Sequence, residues 1–319
     1  MRSRLISLGR YCLLTAVFVA GVNPSQLLHA QADVDRGSVI PVTQLTAGGQ
    51  PVVAGLVKAA DSSRRCRNEA IEQLPMAYLT SDAQAKVQQV LKDLSLFRRL
   101  PTLEIEADRR AYEFFTAHPD VAVSVWRALQ ISNVQMKEVN PNFYRTDTND
   151  GTVGTVEVLL RSPGSYLVLC QGLLQSPGMP RPIQAKALMH LQPKFDQRGR
   201  VTHHLDLFVS FPSQTIETIA KLTSPVSFRI ADRNFEEVTL FVALMSSAMS
   251  RQPGWVEQTA QRMEGLAPGR TNDLLKVTAA VYVDAERRRL AAAGQPVTVE
   301  SILPPVSAQA AGPEGGTVR

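Results

Sequence analysis

Between residues 134 and 211 the chain alternates short extended runs with turn signals, and this stretch limits the possible folds more than any other. The pattern predicts strands over 134–139, 142–147, 153–161, 165–174, 183–193 and 200–211. Asn140-Pro141-Asn142, Asn149-Asp150-Gly151, Ser162-Pro163-Gly164 and Asp196-Gln197-Arg198-Gly199 supply the turns. Connections this short permit antiparallel pairing only, because parallel neighbours need a crossover of a dozen or more residues. The segment 176–182 holds three prolines and cannot lie in a central strand. Gly151-Thr152-Val153-Gly154 precedes a strand instead of joining strand to helix, so it belongs to a hairpin and not to a phosphate cradle.

Helical spacing flanks this run on both sides. Ser81 and Gln84 have the spacing of a capping box, and Val87, Val90, Leu91 and Leu94 recur at helical intervals until Pro101. Helices are expected over about 106–117 and 120–131, separated at His118-Pro119, with Asp120 as an N-cap. After Pro212 a short helix ends before Ser224-Pro225. A longer one follows, with Asn234 and Glu237 spaced as cap and third residue. Phe235, Val238, Phe241, Val242, Met245 and Met249 give that helix an apolar stripe whose nearest partner is the sheet. Two more helices are expected at about 255–266 and 272–293. The fold class is therefore α+β: an antiparallel sheet of about six strands packed on a long apolar-faced helix, with further N- and C-terminal helices. The expected division is a leader over 1–32, an irregular tether over 33–80, a globular body over 81–267, a C-terminal helix over 268–294 and a disordered tail over 295–319.

From Glu106-Ala107-Asp108-Arg109-Arg110 to Asp232-Arg233-Asn234-Phe235-Glu236-Glu237-Val238, the order of elements resembles the helix-grip fold of the START and polyketide-cyclase-like superfamily. The resemblance spans about residues 106–250 and rests on element order and the amphipathic helix. The stretch also looks similar to exported bacterial proteins from which no activity carries over. Helix-grip proteins hold an apolar ligand between sheet and helix. The resemblance thus implies a cavity in which Phe241, Met245 and Met249 are the candidate lining, with an ordinary filled core as the alternative.

The first 32 residues read as a cleavable secretory signal. Arg2, Arg4 and Arg10 precede the apolar run 11–22, which falls short of the roughly 20 residues that span a bilayer. Asn23-Pro24-Ser25 then breaks the helix, and Ala30-Gln31-Ala32 offers the small-x-small pattern of a cleavage site. An uncleaved N-terminal anchor is the alternative. Cleavage takes three of the 34 Lys and Arg and none of the 29 Asp and Glu, leaving 31 against 29 and a net charge of +2. That balance, with no basic cluster interleaved with aromatics, gives no support to a nucleic-acid partner. An exported chain could join Cys66 to Cys170, but Cys66 sits among arginines and Cys170 ends an apolar strand, which favours two free thiols.

No Gly-x-Ser-x-Gly elbow, Walker loop, His-Glu-x-x-His or Cys-x-x-Cys occurs, and nothing calls for a cofactor. The most suggestive group is His203-His204-Leu205-Asp206. On a strand, His204 and Asp206 share one face while His203 points to the other. A carboxylate beside an imidazole can orient it as a general base, and His190 joins them if the register brings it opposite. Spacing supports two metal ligands, fewer than the three or four a metal site needs. The plainer alternative is a solvated strand face. Glu157 and Arg161 are expected on one solvated face, His118 at a helix C-terminus near its dipole, and Trp126 and Trp255 as packing anchors. Three functions stay open: a non-enzymatic exported protein binding a small apolar ligand or an envelope component, an enzyme using His204, Asp206 and His190, and a structural protein of the envelope.

Overall fold

The computed structural model describes residues 45–47, 50–52, 54–149, 152–174, 183–211 and 214–302. The expected leader, the beginning of the expected tether, the proline-rich segment 176–182 and the end of the expected tail lie outside them. Strands β1 (Leu45–Ala47) and β2 (Gln50–Val52) pair with each other. The six strands foreseen above are β6 (Gln135–Asn140), β7 (Phe143–Asp147), β8 (Thr152–Ser162), β9 (Ser165–Leu174), β10 (Ile183–Phe195) and β11 (Arg200–Ser210). Their turns form for the reasons foreseen: Asn142 and Gly199 take φ of 66° and 80°, a region that asparagine and glycine enter most easily.

Three further strands enlarge the sheet to nine: β3 (Gly55–Lys58), β4 (Leu94–Arg99) and β5 (Thr102–Glu106). The order is β3-β5-β11-β10-β9-β8-β7-β6, with β4 pairing to the other stretch of β11's edge, and every pairing is antiparallel. The expectation of about six strands is thereby corrected. Leu94 continues the apolar spacing of the helix before it, yet Asp93 ends that helix and Leu94, Leu96 and Phe97 enter the sheet.

Helices cover both faces. On the outer face lie α1 (Arg64–Glu72) and α2 (Ser81–Lys92). Cys66, Ala70, Leu74, Val87 and Val90 bury there against Phe97, Leu167, Leu169, Leu188 and Phe208 of the sheet. Residues 55–80 are thus part of the folded body and not a tether; Cys66, Ala70 and Leu74 recur every four residues, a helical stripe set among arginines. The α2 cap is Thr80, whose side chain accepts from the Ala83 N–H, one residue before the expected Ser81.

On the inner face lie α3 (Arg109–Ala117), α4 (Pro119–Ala128), α5 (Gln214–Arg251), α6 (Pro253–Ala260) and α7 (Arg270–Ala292). The short α8 (Val299–Ile302) follows, within the expected tail. Asp108 caps α3. His118, not Asp120, holds the N-cap position of α4, and Asp120 is buried in its first turn. The expected break at Ser224-Pro225 does not occur, because α5 runs through Pro225. Packing overrides the propensity: Ala231 and Phe235 bury with Leu100 and Leu103, and Asp232 receives a two-pronged bond from Arg98 on β4. The Ser246 hydroxyl accepts the Asp108 N–H at 2.7 Å, tying α5 to the start of α3. Helix α7 packs on α3, α5 and α6, so residues 268–294 belong to the same body.

Strand β8 carries two local irregularities, a close approach at Gly154 and a bulge that changes which side chains face which layer. Gly154 lies opposite Gly172, where a Cβ would come within 2.8 Å of the Gln171 carbonyl oxygen. In β8 the register shifts between Val158 and Leu160, leaving Leu159 as the extra residue of a bulge. The bulge separates Glu157 and Arg161, which alternation alone places together: Glu157 accepts from Lys86 of α2 at 2.7 Å, whereas Arg161 donates to the Ala117 carbonyl of α3 at 2.7 Å. Cys66 and Cys170 are both free and buried, on opposite faces of the sheet, so they cannot reach each other. Among the described residues no helix is long and apolar enough to cross a membrane.

Candidate functional site

Alternation along β10 and β11 sends polar residues to two separate places. His190, His204 and Asp206 face the outer layer, and the register sets His190 directly opposite Asp206. The structure therefore brings the three together, but not as a solvated face or an acid–base pair. Asp206 is fully buried, and Arg99 holds it: Nε donates to Oδ1 at 2.6 Å and Nη2 to Oδ2 at 2.8 Å. Arg99 also donates to Gln73 Oε1 at 3.1 Å, while its backbone exchanges two hydrogen bonds with Asp61.

His204 Nε2 stands 4.0 Å from Asp206 Oδ2, beyond hydrogen-bond reach. His190 Nε2 shares a 2.8 Å bond with the Ser165 hydroxyl instead. Burial holds His190 neutral, bringing it down to about 4, and lowers His204 as well. Asp206 is bonded by Arg99 while His204 stands out of reach and His190 turns to Ser165, so this cluster reads as a buried ion pair. Among the described residues no set of three or more His, Cys, Asp or Glu side chains is placed to hold a metal.

The inner face offers different chemistry. A cavity of about 240 Å³ lies between the sheet and α3, α4 and α5. Val158, Val168, Met189, Leu191 and Leu205 form its floor, and Phe115, Trp126, Phe235 and Phe241 its helical wall. Phe241 meets Trp126 and Phe115 edge to face, with centroids 5.3 and 5.4 Å apart, which fixes the wall's shape. Of the three lining residues expected from sequence, Phe241 is present. Met245 and Met249 are buried in the surrounding core and do not line the cavity. Trp126 stands on the wall, while Trp255 is exposed on α6 and does not anchor a core.

Thr116, Tyr166 and Asn234 add polar atoms to this mainly apolar lining, and a hydrogen-bonded set centred on His203 lies buried at one end. His203 projects inward from β11; its Nδ1 lies 2.6 Å from Tyr112 Oη of α3, and its Nε2 3.0 Å from Thr239 Oγ1 of α5. Phe235 stacks obliquely on the ring at 5.0 Å. Desolvation pulls His203 down to about 3 and pushes the Tyr112 phenol up, so both are neutral. The sequence carried one signal for this set: His203 is in phase with Val201, Leu205 and Leu207, a histidine on the apolar side of a strand. Its partners stand 91 and 36 residues away, beyond the reach of local pattern.

His118 forms no dipole-binding cation. Burial and the nearby Arg270 bring it down to about 4, and its Nε2 faces Arg270 Nη1 at 3.2 Å.

No family model matches the chain. No curated protein matches it either. Among solved structures, a conserved protein from Geobacillus kaustophilus is similar over 41% of this chain and 90% of its own length, at 14% identity and a TM-score of 0.27. A likeness at that score carries no argument about fold or function.

Two expectations follow from these geometries. Arg99→Met strands a buried carboxylate and lowers the unfolding free energy by about 3–5 kcal/mol, whereas Arg99→Met with Asp206→Leu recovers most of that loss. Urea unfolding of both variants checks this, and a single variant as stable as the parent contradicts it. His203 has a folded pKa below its unfolded value, so its contribution is complete above about pH 6.5 and is lost as pH falls toward 3. Between pH 6 and 4, His203→Leu therefore makes stability less pH-dependent than the parent's by about 1.4 kcal/mol per pH unit. Matching slopes in the two proteins contradict a neutral buried imidazole.

Proposed function

We propose that this chain is an exported protein with a helix-grip-like body that binds a small, mainly apolar molecule between its sheet and α5. The cavity carries this reading. About 240 Å³ of mainly apolar space is left unfilled between the sheet and its inner helices. A core under selection for packing alone closes such a space with larger side chains. An enclosed apolar cavity of about 150 Å³ already accepts benzene, so this one has room for a larger ring system or a short acyl chain.

The succession of β5, two helices, six strands and a long helix supports the helix-grip reading, as does the strand order β5-β11-β10-β9-β8-β7-β6. Export rests on the arginine-flanked apolar run and the Ala30-Gln31-Ala32 pattern. The Arg99–Asp206 pair draws Asp206 away from the rival catalytic use of His204, Asp206 and His190.

Native mass spectrometry of the protein purified from its own compartment tests both parts of the proposal. The expected result is a polypeptide mass that starts at Asp33, with a fraction carrying an additional small-molecule mass. Val168→Phe, which fills the cavity floor, is expected to travel without that mass. A polypeptide starting at Met1 overturns cleavage after Ala32. A ligand mass retained undiminished by Val168→Phe overturns the assignment of the cavity.

A further inference from the structure

The polar end of the cavity has three hydrogens and two contacts. Tyr112 and Thr239 each bring one hydroxyl hydrogen, and neutral His203 brings one ring N–H. With Nδ1 protonated, the ring donates to Tyr112 Oη and accepts from Thr239, which leaves the Tyr112 hydrogen over. With Nε2 protonated, the ring donates to Thr239 and accepts from Tyr112, which leaves the Thr239 hydrogen over. Either tautomer ends with one donor unspent by the two contacts.

Its usual local outlet is not taken. A helical threonine commonly returns its hydroxyl to the carbonyl four residues back, as Thr116, Thr259 and Thr278 do at 2.8, 2.9 and 2.8 Å. Thr239 turns to His203 instead. Tyr112, His203 and Thr239 are only 2%, 4% and 1% exposed, so bulk water is no general remedy. No Lys, Arg, Asp or Glu is among the described residues lining the cavity. Burial also denies His203 a positive charge, so nothing there compensates a carboxylate.

We propose that the cavity selects neutral, mainly apolar molecules carrying one acceptor oxygen, as in a ketone or ester carbonyl, which takes the hydrogen left over by Tyr112, His203 and Thr239. This rests on the binding reading above and sharpens it to a ligand class. The acceptor sits at the junction of α3, β11 and α5, with the apolar part of the molecule along Val168, Met189 and Trp126.

A matched pair of probes separates this inference from the reading beneath it. 2-Acetylnaphthalene and 2-isopropenylnaphthalene share size and shape, but only the first has a carbonyl. Fluorescence titration of the full exported chain is expected to give about tenfold tighter binding of the ketone. The apolar triple variant Tyr112→Phe, His203→Leu, Thr239→Val is expected to bring the two affinities level. The infrared carbonyl stretch of bound ketone, shifted below its position in cyclohexane, gives the same answer on the parent protein alone, even if the triple variant does not fold. Equal affinities and an unshifted stretch overturn the acceptor site while leaving apolar binding standing. Tighter binding of 2-naphthoate than of the ketone overturns the requirement for neutrality. No binding of any of these probes overturns the binding reading itself.

Discussion

Because helices cover the sheet on both faces, each successive residue of β11 enters a different interior. Val201, His203, Leu205, Leu207 and Val209 go to the layer shared with α3, α4 and α5; His204, Asp206 and Phe208 go to the layer shared with α1 and α2. A one-residue slip would exchange the two sets and place Asp206 in the apolar cavity. Arg99 opposes such a slip, since its bidentate bond to Asp206 fits one register only. The pair acts on the outer face, and its effect on the inner face is to keep His203 aimed at Tyr112 and Thr239.

The inner layer combines rigidity with unfilled space. Edge-to-face contacts of Phe241 with Phe115 and Trp126 join the three helices of the wall to one another. The Arg98–Asp232 bond holds α5 at β4, and the Ser246 hydroxyl holds it at α3. Between these two fastenings α5 lines the cavity with Phe235, Val238, Thr239, Phe241 and Val242. The buried set Tyr112, His203 and Thr239 gives one end of the cavity a chemical direction.

Much of the architecture was legible because its signals are local. The six strands β6–β11 were placed within one or two residues, since their turns are marked by Asn142, Gly164 and Gly199 and their interiors alternate. The parity of His203 against His204 and Asp206 followed from the same period. What escaped depends on contacts distant in the chain. Thr102-Leu103-Glu104-Ile105-Glu106 alternates as cleanly as any later strand, but it lies between two helical patterns and adjoins one of them. Leu94 fits a helix and a strand equally well, and only pairing with Ser210 decides between them. At the site, the ion pair joins residues 107 apart and the Tyr112–His203 contact residues 91 apart, so no window of sequence contains either. The bulge at Leu159 defeated strict alternation by parting Glu157 from Arg161.

The division between the two faces of the sheet is the claim most open to direct test. Methyl-labelled nuclear magnetic resonance during titration with an apolar probe reads both faces at once. Shifts confined to Val158, Val168, Met189 and Leu205, with Leu167, Leu169 and Leu188 unmoved, are the predicted result. Shifts centred on Leu167, Leu169 and Leu188, or none on either face at saturating probe, would contradict it.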